Sequence, residues 1–335
     1  MGRHAHRTPV SYPEYRALFS REIIYATSAE EADIILFGFV IDIRENAEAL
    51  LQLRNKKPGI KFVVLSEEPL WDTMWSGDFL AKTCNVSIGQ STIAYTFLNH
   101  CTTSIYKFNN FPYFITTSDE FFARYRYYFL RNKNYSRDEI EAYWKDAIIR
   151  IAFYSERRAK KDFDIKYFDN DVVRLSGLRS EVAERAIGDG VHRVGQGWGI
   201  ATKRQALPDW HLDKLVALDR KAYIVSAMEN THQEFYITEK IFDAFAVLGI
   251  PIYFSSKGNA VSRLLPHGGF LNLYGFSADE CIANIHSFKP DANFIENYKK
   301  TQQDLAGLFS DAQLYVQERK RVVDEVVKEL HRLMA

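Results

Sequence analysis

The 335-residue sequence has no apolar run near the roughly eighteen residues that span a bilayer, and Met1 to Thr8 lack a secretory hydrophobic core. A cytoplasmic protein with no integral membrane segment is the expectation. Met1-Gly2 opens like a myristoylation signal, but His6 stands where that motif needs Ser or Thr. Cysteine is scarce. Cys84, Cys101 and Cys281 are odd in number and lack metal-ligand spacing, which argues against a disulfide framework and for inert thiols in a reducing compartment. Neither sign of charge is in excess: 43 Lys and Arg balance 43 Asp and Glu, leaving no global field for nucleic acid or an anionic membrane. The histidines show no zinc-ligand spacing, no Gly-x-Ser-x-Gly elbow occurs, and no repeat or low-complexity segment appears. These absences exclude metallohydrolase, serine-esterase and solenoid readings.

What is present is an ordinary globular composition, 47% hydrophobic and 26% charged, long enough for two cores. Short runs rich in Ile, Val, Phe and Tyr recur between helix-like stretches: Asp33 to Val40, Lys61 to Leu65, Ile149 to Tyr154, Ala222 to Ala227 and Ile250 to Phe254. That alternation predicts an α/β protein with parallel sheets covered by helices. Ser118 to Lys145 interrupts it with a polar, basic, tyrosine-rich stretch, which places a domain boundary near residue 148. Domains over 1–148 and 149–310 are expected. The tail, 311–335, spaces Leu314, Val316, Val322, Val323, Val326, Val327 and Leu330 along one side of a helix and predicts a packed C-terminal helix.

The most informative stretch runs from Tyr223 to Phe254. A buried strand enters a polar loop, then a helix with Ile241, Phe245 and Leu248 on one face, then Gly249 as a stop and a second strand: a βαβ unit. Tyr236, Thr238, Glu239 and Lys240 fall at the loop-to-helix junction, on the carboxyl side of the first strand, where such sheets bind nucleotides. The helix start and Lys240 favour phosphate, and Glu239 suits ribose hydroxyls. For an arbitrary helix the same residues would read as a solvated first turn with Thr238 as its cap.

Glu229-Asn230-Thr231, Tyr236-Ile237-Thr238-Glu239-Lys240 and Ile250-Pro251-Ile252-Tyr253 together resemble the signature of the α-1,3/1,4-fucosyltransferase family (glycosyltransferase family 10), in its bacterial-type soluble form. Gly269 to Phe276 resembles the family's following strand, so the likeness covers roughly residues 149 to 280. It implies two Rossmann-like domains facing a cleft, a GT-B-like architecture with an N-terminal acceptor domain and a C-terminal donor domain. It also implies inverting transfer of fucose from GDP-fucose to an oligosaccharide acceptor, with a GlcNAc-containing acceptor and an α-1,3 linkage. The donor contacts it implies are Asn230, Tyr236, Glu239 and Lys240. An upstream arginine gripping the diphosphate matches Arg179, ahead of Val194-Gly195, with Arg174 as the alternative.

Inverting transfer needs one carboxylate to take the acceptor's hydroxyl proton. Phe62 to Pro69 sets Glu67 and Glu68 just beyond a buried strand, and the family's Glu-Ser-Pro at such a place aligns its glutamate with Glu67, with Glu68 replacing the serine. Asp162-Phe163-Asp164 and Asp169-Asn170-Asp171 have a spacing that can hold a metal, but such short pairs are frequent by chance. Positive groups can stabilise the leaving diphosphate instead, so no metal or redox cofactor is expected. Gly195 to Gly199 lacks the dinucleotide fingerprint and reads as a tight turn. Phe121 to Tyr135 interleaves aromatics with cations, which a linker or amphipathic helix explains better than a single-strand nucleic-acid platform in a neutral protein. The rival functions are transfer from another nucleotide sugar on the same architecture and a catalytically silent carbohydrate or nucleotide binder.

Overall fold

The computed structural model describes residues 1–199 and 206–335. They form two compact units, Met1–Asp119 with Gln313–Ala335, and Glu120–Ala312.

The first unit is built on a four-stranded sheet in the order β1-β2-β4-β3, with β1 (Ile34–Phe37), β2 (Lys61–Leu65), β3 (Thr83–Ile88) and β4 (Ser91–Leu98). β1, β2 and β4 run parallel, and β3 pairs antiparallel with β4 as a hairpin. Val63, Val64 and Leu65 are fully buried, as parallel strands covered on both faces require. The expected strand to Val40 is shorter, because Phe39 caps a helix that begins at Val40. The C-terminal helix, Ala312–Met334, belongs to this unit. Its Val322, Val323, Val326, Val327 and Leu330 share a core with Val63, Leu65 and Leu98, while Val316 lies outside the stripe and is exposed.

The second unit carries a parallel five-stranded sheet in the order β12-β11-β9-β5-β8. Its strands are β5 (Ile149–Tyr154), β8 (Val191–Val194), β9 (Ala222–Ser226), β11 (Ile250–Tyr253) and β12 (Leu271–Asn272). A small antiparallel sheet joins β6 (Lys166–Tyr167), β7 (Val172–Arg174) and β10 (Thr231–His232). The unit begins at Glu120 and not at 149, because the tyrosine-rich stretch packs into it. Helix α2 (Asp119–Asn132) buries Phe121, Tyr125, Tyr128 and Phe129, and Trp144 donates from Nε1 to the Leu248 carbonyl at 2.7 Å. Phe121, Tyr125, Tyr128 and Phe129 thus form the buried face of the helix, with Arg131 lying 4.9 Å over the Tyr128 ring and Tyr127 left exposed.

The predicted stop at Gly249 is divided between two residues. Leu248 takes the left-handed turn at φ 61°, whereas Gly249 is required for space: a Cβ there would come within 2.5 Å of Val225 Cγ2. Among the described helices none is long and apolar enough to cross a membrane.

Candidate functional site

The loop leaving the carboxyl end of β9 leads directly to the start of helix α5 (Glu239–Ala246), after α3 (Ser176–Arg185) and α4 (Trp210–Leu218) in the chain. Apolar residues around the whole of α5 make it a buried helix, with Ile241, Phe242, Ala244, Phe245 and Ala246 all enclosed. Its polar residues therefore need partners, and each has them.

Glu229 organises the helix start. Its buried carboxylate accepts the Thr238 backbone N–H at 2.7 Å, the Thr238 hydroxyl at 2.8 and 2.9 Å, and Lys240 Nζ at 2.9 Å. Thr238 occupies the cap position, but its side chain bonds to Glu229 and not to the helix backbone. Lys240 Nζ also reaches Thr238 Oγ1 at 2.7 Å and Glu239 Oε1 at 3.5 Å. Burial works to lower the Lys240 ammonium, yet the Glu229 and Glu239 carboxylates outweigh it and raise the pKa above the ordinary lysine value. Burial raises Glu229 in turn, against the pull of Lys240.

Arg179 joins this group from α3. It is buried at 3% exposure, donates from Nη1 to the Met228 carbonyl at 3.1 Å, and keeps Nε buried with no hydrogen-bond partner among the described residues. Burial pulls its guanidinium down to about 10, against the attraction of Glu229 and with further lowering by Arg158. Tyr236, Glu239 and Lys240, three of the expected donor contacts, also interact electrostatically with Arg179. Arg174 is committed elsewhere: on β7 it donates to the Asp162 carbonyl at 2.6 Å and the Tyr167 hydroxyl at 3.0 Å. Asn230 ties the loop to α3, its carbonyl accepting from Leu175 N at 2.9 Å and Ser176 Oγ at 3.4 Å.

A second buried network holds α5 through Asp243. Asp243 accepts from Tyr125 OH at 2.6 Å and Lys214 Nζ at 2.9 Å, and meets His211 Nε2 at 2.7 Å. Tyr125 also donates to the carbonyl of Glu239 at 3.2 Å. Burial would raise the Asp243 carboxyl, but Lys214 and His211 hold it well below the usual range.

In the first unit Glu67 follows β2 at its carboxyl end and is 5% exposed. Arg7 Nε donates to Oε1 at 3.1 Å, Tyr113 OH to Oε2 at 2.9 Å, and Tyr12 OH lies 2.9 Å from both oxygens. Arg7 Nη2 pairs with Glu68 at 2.8 Å, so one guanidinium separates the two acids. His100 Nε2 sits 3.2 Å from the Glu67 carbonyl, and burial lowers this imidazole to about 3, leaving it neutral. Burial and the nearby Glu67 raise both tyrosines well above the usual phenol range, so they act as donors. Arg7, Tyr12 and Tyr113 carry no local sequence signal, since they lie 46 to 60 residues from Glu67. Glu229 stood inside the recognised motif but had no assigned role; its place just after a strand was the available clue.

Of the acidic pair around Asn170, Asp171 is engaged by side chains. Asp171 accepts from Tyr274 OH at 2.8 Å and meets the buried His232 Nε2 at 3.2 Å. Gly195, Gly197 and Gly199 all take positive φ, and a Cβ at Gly195 would strike the Ser155 carbonyl, as a tight turn demands.

No curated protein and no solved structure matches the chain. Residues 194–328 match a family model described as glycosyltransferase family 10 (fucosyltransferase), C-terminal. That segment contains the Glu229 loop and α5, and it ends inside the C-terminal helix. Over residues 194–328 the chain carries the C-terminal segment of glycosyltransferase family 10, the fucosyltransferase family.

Proposed function

We propose that the protein is an inverting fucosyltransferase that moves L-fucose from GDP-fucose to a hydroxyl of an acceptor glycan, a GlcNAc-containing one in α-1,3 linkage. The observation that carries the donor side is the convergence of Arg179 and Lys240 at the start of α5, with a buried Arg179 Nε that has no hydrogen-bond partner among the described residues. Two cations and a helix N-terminus suit a diphosphate, and they stabilise the negative charge that grows as it leaves. Glu239, first in the helix, accepts from ribose hydroxyls, while Asn230 and Tyr236 border the nucleotide sugar.

In the reaction the acceptor oxygen attacks the anomeric carbon of fucose, the bond from that carbon to the diphosphate breaks, and GDP departs with the electron pair. The acceptor proton passes to Glu67. A carboxylate offers about four lone-pair positions, and the protons of Arg7, Tyr12 and Tyr113 occupy three, leaving one for the acceptor hydroxyl. Tyr12 has a single proton between two oxygens and is the donor best able to shift.

Titration calorimetry with GDP, UDP and CMP tests the donor assignment, together with release of GDP from GDP-fucose in the presence of acceptor. GDP is expected to bind most tightly and to appear with turnover. Preference for UDP or CMP overturns the fucosyl donor, and GDP binding without turnover identifies a silent binding protein.

A further inference from the structure

Two groups of aromatic side chains stand out in the first unit. Tyr15, Phe19, Tyr106 and Tyr113 are buried in its core. The second group gathers beyond the carboxyl ends of β1 and β2, where Trp71 and Trp75 sit one turn apart on helix α1 (Pro69–Trp75). Their rings stack with centroids 4.4 Å apart and planes within 10°, and both are only half-buried. Phe39, just after β1, meets Trp75 edge-on at 5.7 Å. Arg7 lies 5.4 Å over the Phe39 ring while donating to Glu67 at 3.1 Å. An unbroken series of contacts therefore runs from the tryptophan pair to the Glu67 carboxylate. His4 borders the same aromatics, 5.1 Å from Phe39 and 6.2 Å from Trp75, with Nδ1 held 2.9 Å from Asp42. Gly38 lets this segment approach: a Cβ there would run into the His4 carbonyl.

Large flat rings left half-exposed beside fixed polar groups have the composition of a ligand site and not of a core. A pyranose ring fits that composition, with an apolar C–H face for an indole and a rim of hydroxyls for charged neighbours. We propose that Trp71 and Trp75 are the platform on which a sugar ring of the acceptor stacks, with Arg7 and His4 along its rim. The acceptor's role rests on the fucosyl-transfer reading, whereas sugar binding itself does not require that donor.

The test uses the full chain and three probes, N-acetyllactosamine, lactose and N,N′-diacetylchitobiose, followed by saturation-transfer NMR and tryptophan fluorescence with and without GDP. At least one sugar is expected to bind saturably, and Trp71→Ala and Trp75→Ala to weaken it by roughly tenfold, the equivalent of one lost aromatic contact. GDP affinity should stay unchanged in both variants. Should an alanine variant fail to fold, Trp71→Phe and Trp75→Phe carry the test and should bind more weakly than the native chain. The proposal is overturned if no probe binds the native protein or if binding survives the substitutions unchanged. Sugar binding lost in the tryptophan variants of a chain that prefers UDP would sink the donor assignment alone. Fucosyl transfer with an unaltered acceptor KM in those variants would sink the platform alone.

Discussion

Lys240 and Glu229, 11 residues apart in sequence, meet at 2.9 Å beneath the first turn of α5. The pair serves two purposes. Glu229 substitutes for a cap on the Thr238 N–H, and the same carboxylate keeps a buried ammonium charged at the place proposed for a diphosphate.

Removing Glu229 should therefore cost both stability and nucleotide affinity. Glu229→Ala leaves a buried ammonium with Glu239 at 3.5 Å, and breaking a buried pair costs about 3–5 kcal/mol. The remaining partner puts the expectation at the lower end. Urea unfolding together with GDP calorimetry checks it, and full native stability with full GDP affinity would refute the role given to this carboxylate.

Glu67→Gln and Lys240→Ala should separate proton transfer from binding. Loss of general-base help is worth roughly a hundred- to ten-thousandfold in rate, with GDP affinity nearly unchanged. Lys240→Ala should weaken GDP binding itself, and slow transfer further if charge grows on the diphosphate. Glu68→Gln completes the set. If it abolishes transfer while Glu67→Gln remains active, the base is Glu68; if both remain active, neither is.

Asp243 should give the second unit a defined acid sensitivity. Burial opposes its ionisation, but Lys214 and His211 hold its folded pKa below the ordinary aspartate value. A carboxyl depressed on folding stabilises the protein above the unfolded pKa of about 4, and that contribution fades as pH falls toward the folded value. Asp243→Asn should thus lose roughly 3 kcal/mol near pH 7, where it leaves Lys214 buried without its counter-charge. The gap from the native protein should narrow below about pH 4. Denaturant unfolding of both proteins across pH 3 to 7 measures it, and a gap constant over that range counts against the assignment.

A chelator should leave transfer largely intact, because in the proposed donor site Arg179, Lys240 and the helix start would supply the positive charge that the leaving diphosphate needs. Assays in EDTA, with and without added manganese, decide this. Complete loss restored by manganese would return Asp169 and Asp171 to consideration as ligands.

The sequence by itself determined the elements whose signals are local. Lys61–Leu65, Ile149–Tyr154 and Ile250–Tyr253 are strands because their β-branched and aromatic runs pack on both faces of a sheet. The loop and helix from Glu229 to Lys240 were legible for the same reason: the βαβ pattern and the recognised motif both lie within a short stretch of chain. The C-terminal helix was legible from its periodicity, but not its place, since its apolar stripe does not specify which core receives it.

Tertiary structure alone decided the rest. The tyrosine-rich segment reads as a polar interruption until Phe121, Tyr125 and Phe129 are seen buried on one face of α2 in the second unit. The glycine after α5 provides room against Val225 and leaves the left-handed turn to Leu248, a division set by how closely β9 and the helix end approach. Arg179 joins Glu229 because it lies on α3 and turns into the buried group, while Arg174 is held by the Asp162 carbonyl and Tyr167. Glu67 could be named from its position after a strand, but Arg7, Tyr12 and Tyr113 could not. A buried carboxylate must be met by donors, and chain folding brings those donors from segments whose local sequence carries no trace of the meeting.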